Sequence, residues 1–170
     1  GLAALDDQTT VVVFVDGDYS DDPTEASSVL APILANEADL VIGSRVLGRR
    51  EAGSLTPQQR FGNALATLLI RWLYAEHYTD LGPFRAIRRD ALERIGMIDR
   101  DFGWTVEMQV KAAREGLRST EVPVSYRKRF AGESKVAGTL MGSIRAGRKI
   151  LSTIFRHAGP TSSDHTAKPT

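Results

Sequence analysis

The chain has 170 residues, of which 42% are hydrophobic and 25% are charged, and its formal net charge is +1. This composition is ordinary for a globular protein with one core, and the near-zero charge gives no reason to expect nucleic acid as a partner. No cysteine is present, which excludes disulfides and thiolate metal sites and fits a cytoplasmic protein. No apolar run approaches the ~20 residues that span a bilayer.

The first elements in chain order predict a strand–helix–strand unit. The run VVVFV at residues 11–15 is β-branched and does not alternate, which indicates a strand buried on both faces. A helix is expected next, because Asp22 is a plausible N-cap, Pro23 suits the first helical position and Glu25 completes a capping box. Residues 38–45, ADLVIGSR, are typical of a second buried strand.

The middle of the chain predicts a long helix, a strand and a short helix. Thr56 and Gln59 form an expected capping box at the start of the long helix. The stretch GPFRAIRR at residues 82–89 is typical of a strand. Asp90 is then expected to cap a short helix that ends at Gly96.

The last third predicts two helices separated by a strand. Residues 105–116 form an expected helix, and residues 119–129 a strand in which Pro123 favours a sheet edge. Residues 140–155 are amphipathic, with one apolar and one basic side. This helix either packs on the sheet or lies on an anionic membrane surface. The tail at residues 158–170 is expected to be disordered.

Two carboxylates follow the first strand directly. Asp16 and Asp18 are two positions apart, so on an ideal strand their side chains share a face. Two unit charges ~4 Å apart repel each other by ~4 kcal/mol at an effective dielectric constant of 20. A divalent hard cation would offset this repulsion, and Mg²⁺ or Mn²⁺ keeps open positions for phosphate oxygens. Ligands of α/β sheets bind at such strand ends, so the pair predicts a metal and phosphate site.

Other interpretations of the acidic pair are a solvated turn that caps the next helix, an EF-hand loop and a phosphatase of the haloacid dehalogenase type. An EF-hand loop counted from Asp16 needs Gly at its sixth position and Glu at its twelfth, where this chain has Asp21 and Ser27. The phosphatase also ends a strand in Asp-x-Asp, but it needs a later Gly-Asp-x-x-x-Asp type loop that the sequence lacks. The capping turn stays open.

Five segments in order carry a family resemblance: FVDGDYSDDP, ADLVIGSR, TDLGPFRAIRRDAL, FGWTVEMQVKAAREG and EVPVSYRKRFAGESKV. Together they resemble the dolichol-phosphate mannose or glucose synthase-like group of glycosyltransferase family 2, over residues 11–155. The resemblance implies an α/β GT-A fold, a mostly parallel sheet flanked by helices, a nucleotide-sugar donor, and Mg²⁺ or Mn²⁺. Family members begin with a Pro-x-x-Asn-Glu segment and an Asp-Asp-x-Ser segment, which are absent here. We therefore expect the first βα units, ~70–80 residues, to be missing.

The resemblance implies roles for individual residues. Asp16 and Asp18 would hold the metal and the donor's diphosphate, and Arg45 would offer a guanidinium fork to phosphate or sugar oxygens. Asp80 would face donor and acceptor, and Glu107 would point at the acceptor. Each of the last three residues also has a simpler interpretation. Arg45 would be a surface arginine, Asp80 a turn aspartate, and Glu107 a carboxylate that interacts with a helix dipole.

The segment RKRFAGESK is the expected flap of the site. Arg129, Ser134 and Lys135 flank an Ala-Gly hinge, so the resemblance implies that they fold over the diphosphate and exclude water. The simpler interpretation is an exposed basic loop.

The predicted activity is an inverting, metal-dependent transfer of a hexose from a UDP- or GDP-sugar to a polyprenyl phosphate or similar acceptor. A lipid phosphate is already ionised at neutral pH, with a second pKa near ~6, so Asp80 or Glu107 would orient it rather than abstract a proton. We expect residues 1–136 to be the C-terminal part of the catalytic domain and residues 137–157 a basic helix. That helix suits peripheral contact with the cytoplasmic face of a membrane. The alternative is a truncated, non-catalytic module that binds lipid or a protein partner.

Overall fold

The computed structural model of the chain describes residues 5–99, 101, 103–129 and 140–157. Its centre is a four-stranded sheet in the order β1-β3-β2-β4. The strands are β1 (Val11–Phe14), β2 (Leu40–Ser44), β3 (Arg85–Arg88) and β4 (Ser119–Pro123). β2 and β4 pair in parallel, whereas β3 pairs antiparallel with both β1 and β2. Three strands therefore point in one direction, and β3 is inserted between the first two in the opposite one.

In the described part of the chain, five α-helices cover the two faces of the sheet. They are α1 (Ala26–Leu34), α2 (Pro57–Tyr74), α3 (Arg89–Ile95), α4 (Trp104–Arg114) and α5 (Leu140–Arg156). Strand β2 is buried along its whole length, and its side chains alternate between two hydrophobic clusters. Leu40 and Ile42 face the cluster formed with α2, α3, α4 and α5, and Val41 faces the cluster formed with α1. This arrangement confirms the predicted α/β class, but the described sheet is mixed rather than mostly parallel, because two of its three strand pairings are antiparallel.

Local sequence signals explain where the helices begin. The predicted capping box of α2 is present: Gln59 N donates to Thr56 Oγ1 at 3.2 Å, and Thr56 N donates to Gln59 Oε1 at 2.9 Å. Asp22 accepts a hydrogen bond from Thr24 N at 3.1 Å and caps a short 3₁₀ turn that leads into α1. Pro123 lies in β4, at an edge of the described sheet, as its missing N–H predicts.

Three local expectations were wrong. β1 lies at an edge of the described sheet, and within the described residues its Val13 is 37% exposed, so one face of the strand is not buried. Glu25 does not complete a capping box, because its carboxylate accepts hydrogen bonds from the backbone N–H and the hydroxyl of Ser125. Asp90 lies inside the first turn of α3, and Arg88 is the N-cap.

Two further expectations fall on residues that the structure leaves out or covers in part. The predicted boundary between residues 136 and 137 and the tail at 158–170 lie outside the described residues. None of the described helices combines the length and the apolar character needed to cross a membrane.

Candidate functional site

The acidic pair lies just beyond the carboxyl end of β1. Asp18 Oδ1 accepts hydrogen bonds from the backbone N–H and the hydroxyl of Ser20, and Asp18 Oδ2 forms an ion pair with Arg129 Nε at 2.8 Å. Partial burial opposes the charge of Asp18, but Ser20 and the Arg129 guanidinium lower its pKa below the usual value. Asp18 is therefore held as an anion that faces a cation.

Asp16 is in a different electrostatic state. Burial and the neighbouring charge of Asp18 raise the pKa of Asp16, while Arg129 and Arg45 act in the opposite direction. Asp16 N donates to Asp21 Oδ2 at 3.3 Å. The two predicted metal ligands thus lie in one electrostatic cluster together with both predicted arginines.

A third carboxylate, Asp21, joins this cluster and was not singled out as a site residue from the sequence. It is only 1% exposed, and its Oδ1 atom has no hydrogen-bond partner among the described residues. Burial raises the pKa of Asp21 to about 6, and the charges of Asp16 and Asp18 also raise it. The only sequence signal for Asp21 was its place in the run DYSDD.

The donor set fits a divalent hard cation. Asp16 and Asp18 each contribute a carboxylate, although both Asp18 oxygens are held by Ser20 and Arg129 in the described structure. The unpaired oxygen of buried Asp21 adds a further carboxylate oxygen beside them. Among the described residues, no three His, Cys, Asp or Glu side chains are gathered into a complete cation site. Such an ion would therefore take most of its remaining ligands from water and from a bound phosphate.

Arg45 and Asp80 form a buried ion pair next to the acidic cluster. Arg45 Nε and Nη2 donate to the two carboxylate oxygens of Asp80 at 2.8 and 2.7 Å, and Arg45 N donates to Asp80 Oδ2 at 2.7 Å. The guanidinium also lies over the ring of Tyr126, 4.9 Å from its centroid. Burial opposes the charge of Arg45, but Asp80 raises its pKa above the ordinary value. Asp80 thus fixes the orientation of Arg45.

Two glycines allow this pair to form. A Cβ at Gly82 would lie 2.9 Å from Gly43 O, 3.2 Å from Asp80 Oδ2 and 3.3 Å from Arg45 Nε. A Cβ at Gly43 would lie 2.9 Å from a methyl group of Val124. The glycines of IGSR and LGPF are therefore sites of close approach between β2, β4 and the turn before β3.

Glu107 has its carboxylate fully engaged elsewhere. It accepts hydrogen bonds from Ile98 N and Asp99 N, and forms an ion pair with Lys111 Nζ at 2.7 Å. Burial opposes its charge, but Lys111 and these N–H groups lower the pKa of Glu107. In the described structure Glu107 binds the backbone of the segment before α4. These contacts do not involve Asp16, Asp18 or Asp80. Its role toward an acceptor stays a prediction.

The predicted flap is described only in part. Arg129 contacts the acidic pair, as expected, while Ser134 and Lys135 lie outside the described residues. Lys128 Nζ lies 3.8 Å from Glu51 Oε1 at the surface instead.

A cavity of about 440 Å³ lies beside the turn that carries Asp80. Among the described residues, its wall includes Thr79, apolar residues of α2 and four basic side chains but no acidic residue. The basic residues are Arg50, Arg60, Arg71 and His77. Thr79 Oγ1 in turn lies 2.7 Å from Ser44 Oγ at the end of β2. The cavity therefore combines positive charge with apolar surface next to the buried ion pair.

Comparison with known proteins decides the family. The family model for glycosyl transferase family 2 matches residues 1–96. The chain belongs to glycosyltransferase family 2. Membership in this family replaces the phosphatase interpretation of the acidic pair.

Relatives within family 2 cover most of this chain. An uncharacterised glycosyltransferase of Mycobacterium tuberculosis is 38% identical over 139 residues, which is 81% of this chain and 62% of that protein. An undecaprenyl-phosphate mannosyltransferase of Micrococcus luteus is 31% identical over 136 residues, 78% of this chain and 55% of that protein. The chain thus spans about half to three-fifths of the length of these relatives.

The fold is shared with solved structures of transferases. Glucosyl-3-phosphoglycerate synthase from Mycobacterium tuberculosis, in complex with phosphoglyceric acid, superposes with a TM-score of 0.64 at 19% identity. The match covers 91% of this chain and 52% of that chain. The GT-A type of α/β fold expected for a family 2 chain is confirmed.

Proposed function

We propose that this family 2 chain is part of an inverting, metal-dependent glycosyltransferase that moves a hexose from a UDP- or GDP-sugar to a polyprenyl phosphate or similar acceptor. One observation carries the proposal. At the carboxyl end of β1, Asp16 and Asp18 lie in one electrostatic cluster with Arg45 and Arg129. Clustered carboxylates and guanidinium groups at a strand end suit a metal-bound diphosphate.

Asp16 and Asp18 would hold Mg²⁺ or Mn²⁺ in this proposal. The ion would supply electrostatic stabilisation of the nucleoside diphosphate that leaves as the glycosidic bond breaks. Arg129 contacts Asp18, and its guanidinium would donate to diphosphate oxygens held beside that pair. Ser134 and Lys135 are proposed to complete the same flap.

The acceptor proposal starts from the cavity lined by Arg50, Arg60 and Arg71. Its positive charge and apolar wall suit an amphiphile with a phosphate head. The mannosyltransferase relative from Micrococcus luteus is named for undecaprenyl phosphate, and another relative is named polyprenol monophosphomannose synthase. These names support a lipid-phosphate acceptor.

No strong general base is needed for such an acceptor. A phosphate monoester with a second pKa near ~6 is already ionised at neutral pH. The carboxylate of Asp80 is occupied by Arg45 and that of Glu107 by Lys111. Both residues are therefore proposed to orient groups around the acceptor rather than to abstract a proton.

Helices α2 and α5 suit a peripheral contact with an anionic membrane. Neither helix contains an acidic residue, and together they carry six basic ones. The exposed large apolar side chains described on them include Phe61, Leu68, Trp72 and Phe155. An acid-free pair of helices with exposed aromatic groups is typical of interfacial binding.

The test uses the complete protein that contains this chain. Release of nucleoside diphosphate from UDP- and GDP-sugars is measured with polyprenyl phosphate, in the presence of Mg²⁺ or Mn²⁺ and then of a chelator. Asp16→Asn and Asp18→Asn should each lower turnover by about 10²-fold or more while leaving thermal unfolding unchanged. Turnover that persists with the chelator, or in both variants, would refute the metal role. Nucleoside diphosphate release that does not increase when polyprenyl phosphate is added would refute the lipid-phosphate acceptor.

A further inference from the structure

The turn that carries Asp80 is held almost entirely by side chains from other elements. Glu121 of β4 accepts from Thr79 N at 2.8 Å and from Asp80 N at 3.0 Å. Asn63 of α2 donates to Thr79 O at 2.9 Å and accepts from Leu81 N at 2.9 Å. These two side chains bind four backbone groups of a three-residue turn.

A third side chain comes from α4. Gln109 Nε2 donates to Asp80 O at 3.0 Å, and Gln109 Oε1 lies 3.4 Å from Arg85 Nη2. Arg85 is fully buried, donates to the carbonyls of Gly82 and Thr105, and lies over the ring of Trp104, 5.1 Å from its centroid. The turn is thus tied to the start of α4 through a buried chain of hydrogen bonds.

This arrangement is unusual for a connecting segment. Loops normally lie on the surface, where water satisfies their backbone groups. Here Asp80 is 0% exposed, as are Arg85 and Gln109 beside it, so the buried backbone groups of the turn need protein partners. Three elements that are distant in sequence supply those partners, which fixes the Asp80 carboxylate and, through it, the Arg45 guanidinium.

We propose that Asn63, Gln109 and Glu121 are positioning residues that hold Asp80, and through it Arg45, in the orientation that the transfer reaction requires. None of the three is proposed to contact the reacting atoms. The catalytic consequence rests on the proposed function, whereas the control of Arg45 orientation does not. The two parts are therefore tested by separate measurements on the complete protein.

Isosteric variants remove single contacts with little change in volume. In Glu121→Gln, one of the two accepting carboxylate oxygens is replaced by an amide NH2 group, which cannot accept a hydrogen bond from the turn. In Gln109→Glu, the side chain still accepts from Arg85 but no longer donates to Asp80 O. Glu121→Asp keeps both acceptor oxygens on a shorter side chain and should recover part of the loss.

Glu25 offers a matched control. Like Glu121, it accepts two hydrogen bonds from a distant segment, Ser125 N at 2.7 Å and Ser125 Oγ at 2.9 Å. It makes none of its described contacts with the Asp80 turn. Glu25→Gln should therefore resemble Glu121→Gln in thermal stability but leave Arg45 and turnover unchanged.

The first measurement is solvent exchange of the Arg45 Nε–H in ¹H–¹⁵N NMR spectra, with the signal assigned by its loss in Arg45→Lys. Exchange should be about tenfold faster in Glu121→Gln and Gln109→Glu, the factor that the net loss of one hydrogen bond brings. It should not change in Glu25→Gln. Unchanged exchange in both turn variants, or an equal change in the Glu25 control, would overturn the inference whatever the activity.

The second measurement is steady-state turnover. In the turn variants kcat should fall about 10- to 100-fold, because small misplacements of catalytic groups carry such costs. The donor KM should change less than about threefold, and Glu121→Asp should regain part of kcat. If the Arg45 Nε–H exchanges faster in the turn variants but kcat is unchanged, the orientation of Arg45 does not matter for catalysis and that part of the proposal is overturned. A wild-type protein without any transfer activity would refute the proposed function and leave the exchange result to decide the positioning.

Discussion

The burial of the Arg45–Asp80 ion pair predicts how much stability is lost when one partner is removed. The side chains are 12% and 1% exposed and share two carboxylate–guanidinium hydrogen bonds. Replacement Arg45→Met removes the cation and leaves the Asp80 carboxylate buried without its main partner. Breaking a buried ion pair from one side costs about 3–5 kcal/mol. For a domain of this size, that corresponds to a fall of roughly 6 to 20 °C in Tm.

The assay is urea unfolding followed by circular dichroism, because the midpoint and slope report stability and exposed surface separately. The double variant Arg45→Met with Asp80→Asn removes the uncompensated charge and should regain about 2 kcal/mol or more. Arg88→Ala, which breaks an exposed pair with Asp90, is the matched control and should have little effect. A loss below about 1 kcal/mol for Arg45→Met, or no recovery in the double variant, would refute the reasoning.

Two further predictions concern close packing and pH. Gly82→Ala should destabilise the chain by about 1–3 kcal/mol in urea unfolding, because its Cβ would lie 2.9 Å from Gly43 O. Gly62→Ala meets nothing within 4 Å and should be neutral or stabilising; equal losses would contradict the argument. Burial raises the pKa of Tyr78 to about 12, so the neutral phenol is favoured in the fold. Stability should fall as pH rises from about 10 through 12, and Tyr78→Phe should reduce that fall in thermal melts at pH 9 to 11.

Local patterns predicted the local parts of the fold. The capping box of Thr56 and Gln59 and the burial of β2 needed only neighbouring residues, and both were confirmed. The partner of Glu25 is Ser125, 100 positions away, and no local pattern contains that information. The capping box predicted for Glu25 was wrong because a distant backbone N–H competed for the same carboxylate.

The charged residues of the candidate site could be predicted from the sequence, but the hydrogen bonds that hold them in place could not. Arg129 forms an ion pair with Asp18, and Arg45 pairs with Asp80 across 35 positions, whereas the roles predicted for these residues stay predictions. Residues such as Gln109 and Glu121 were missed because each is one polar residue inside an otherwise ordinary element. A signal was present for Gln109: it lies between Met108 and Val110 in a helix stretch that is wholly buried.

The insertion of β3 between β1 and β2 constrains how the sheet assembles. β1 and β2 precede β3 in the chain, and both pair with it, so neither can form this pairing until residues 85–88 have been synthesised. Until then the edges that β1 and β2 present to β3 are unpaired, and such edges are prone to pair with other chains. The strand that joins β1 to β2 directly follows the Asp80 turn in sequence, so closure of the sheet and placement of that turn depend on the same segment.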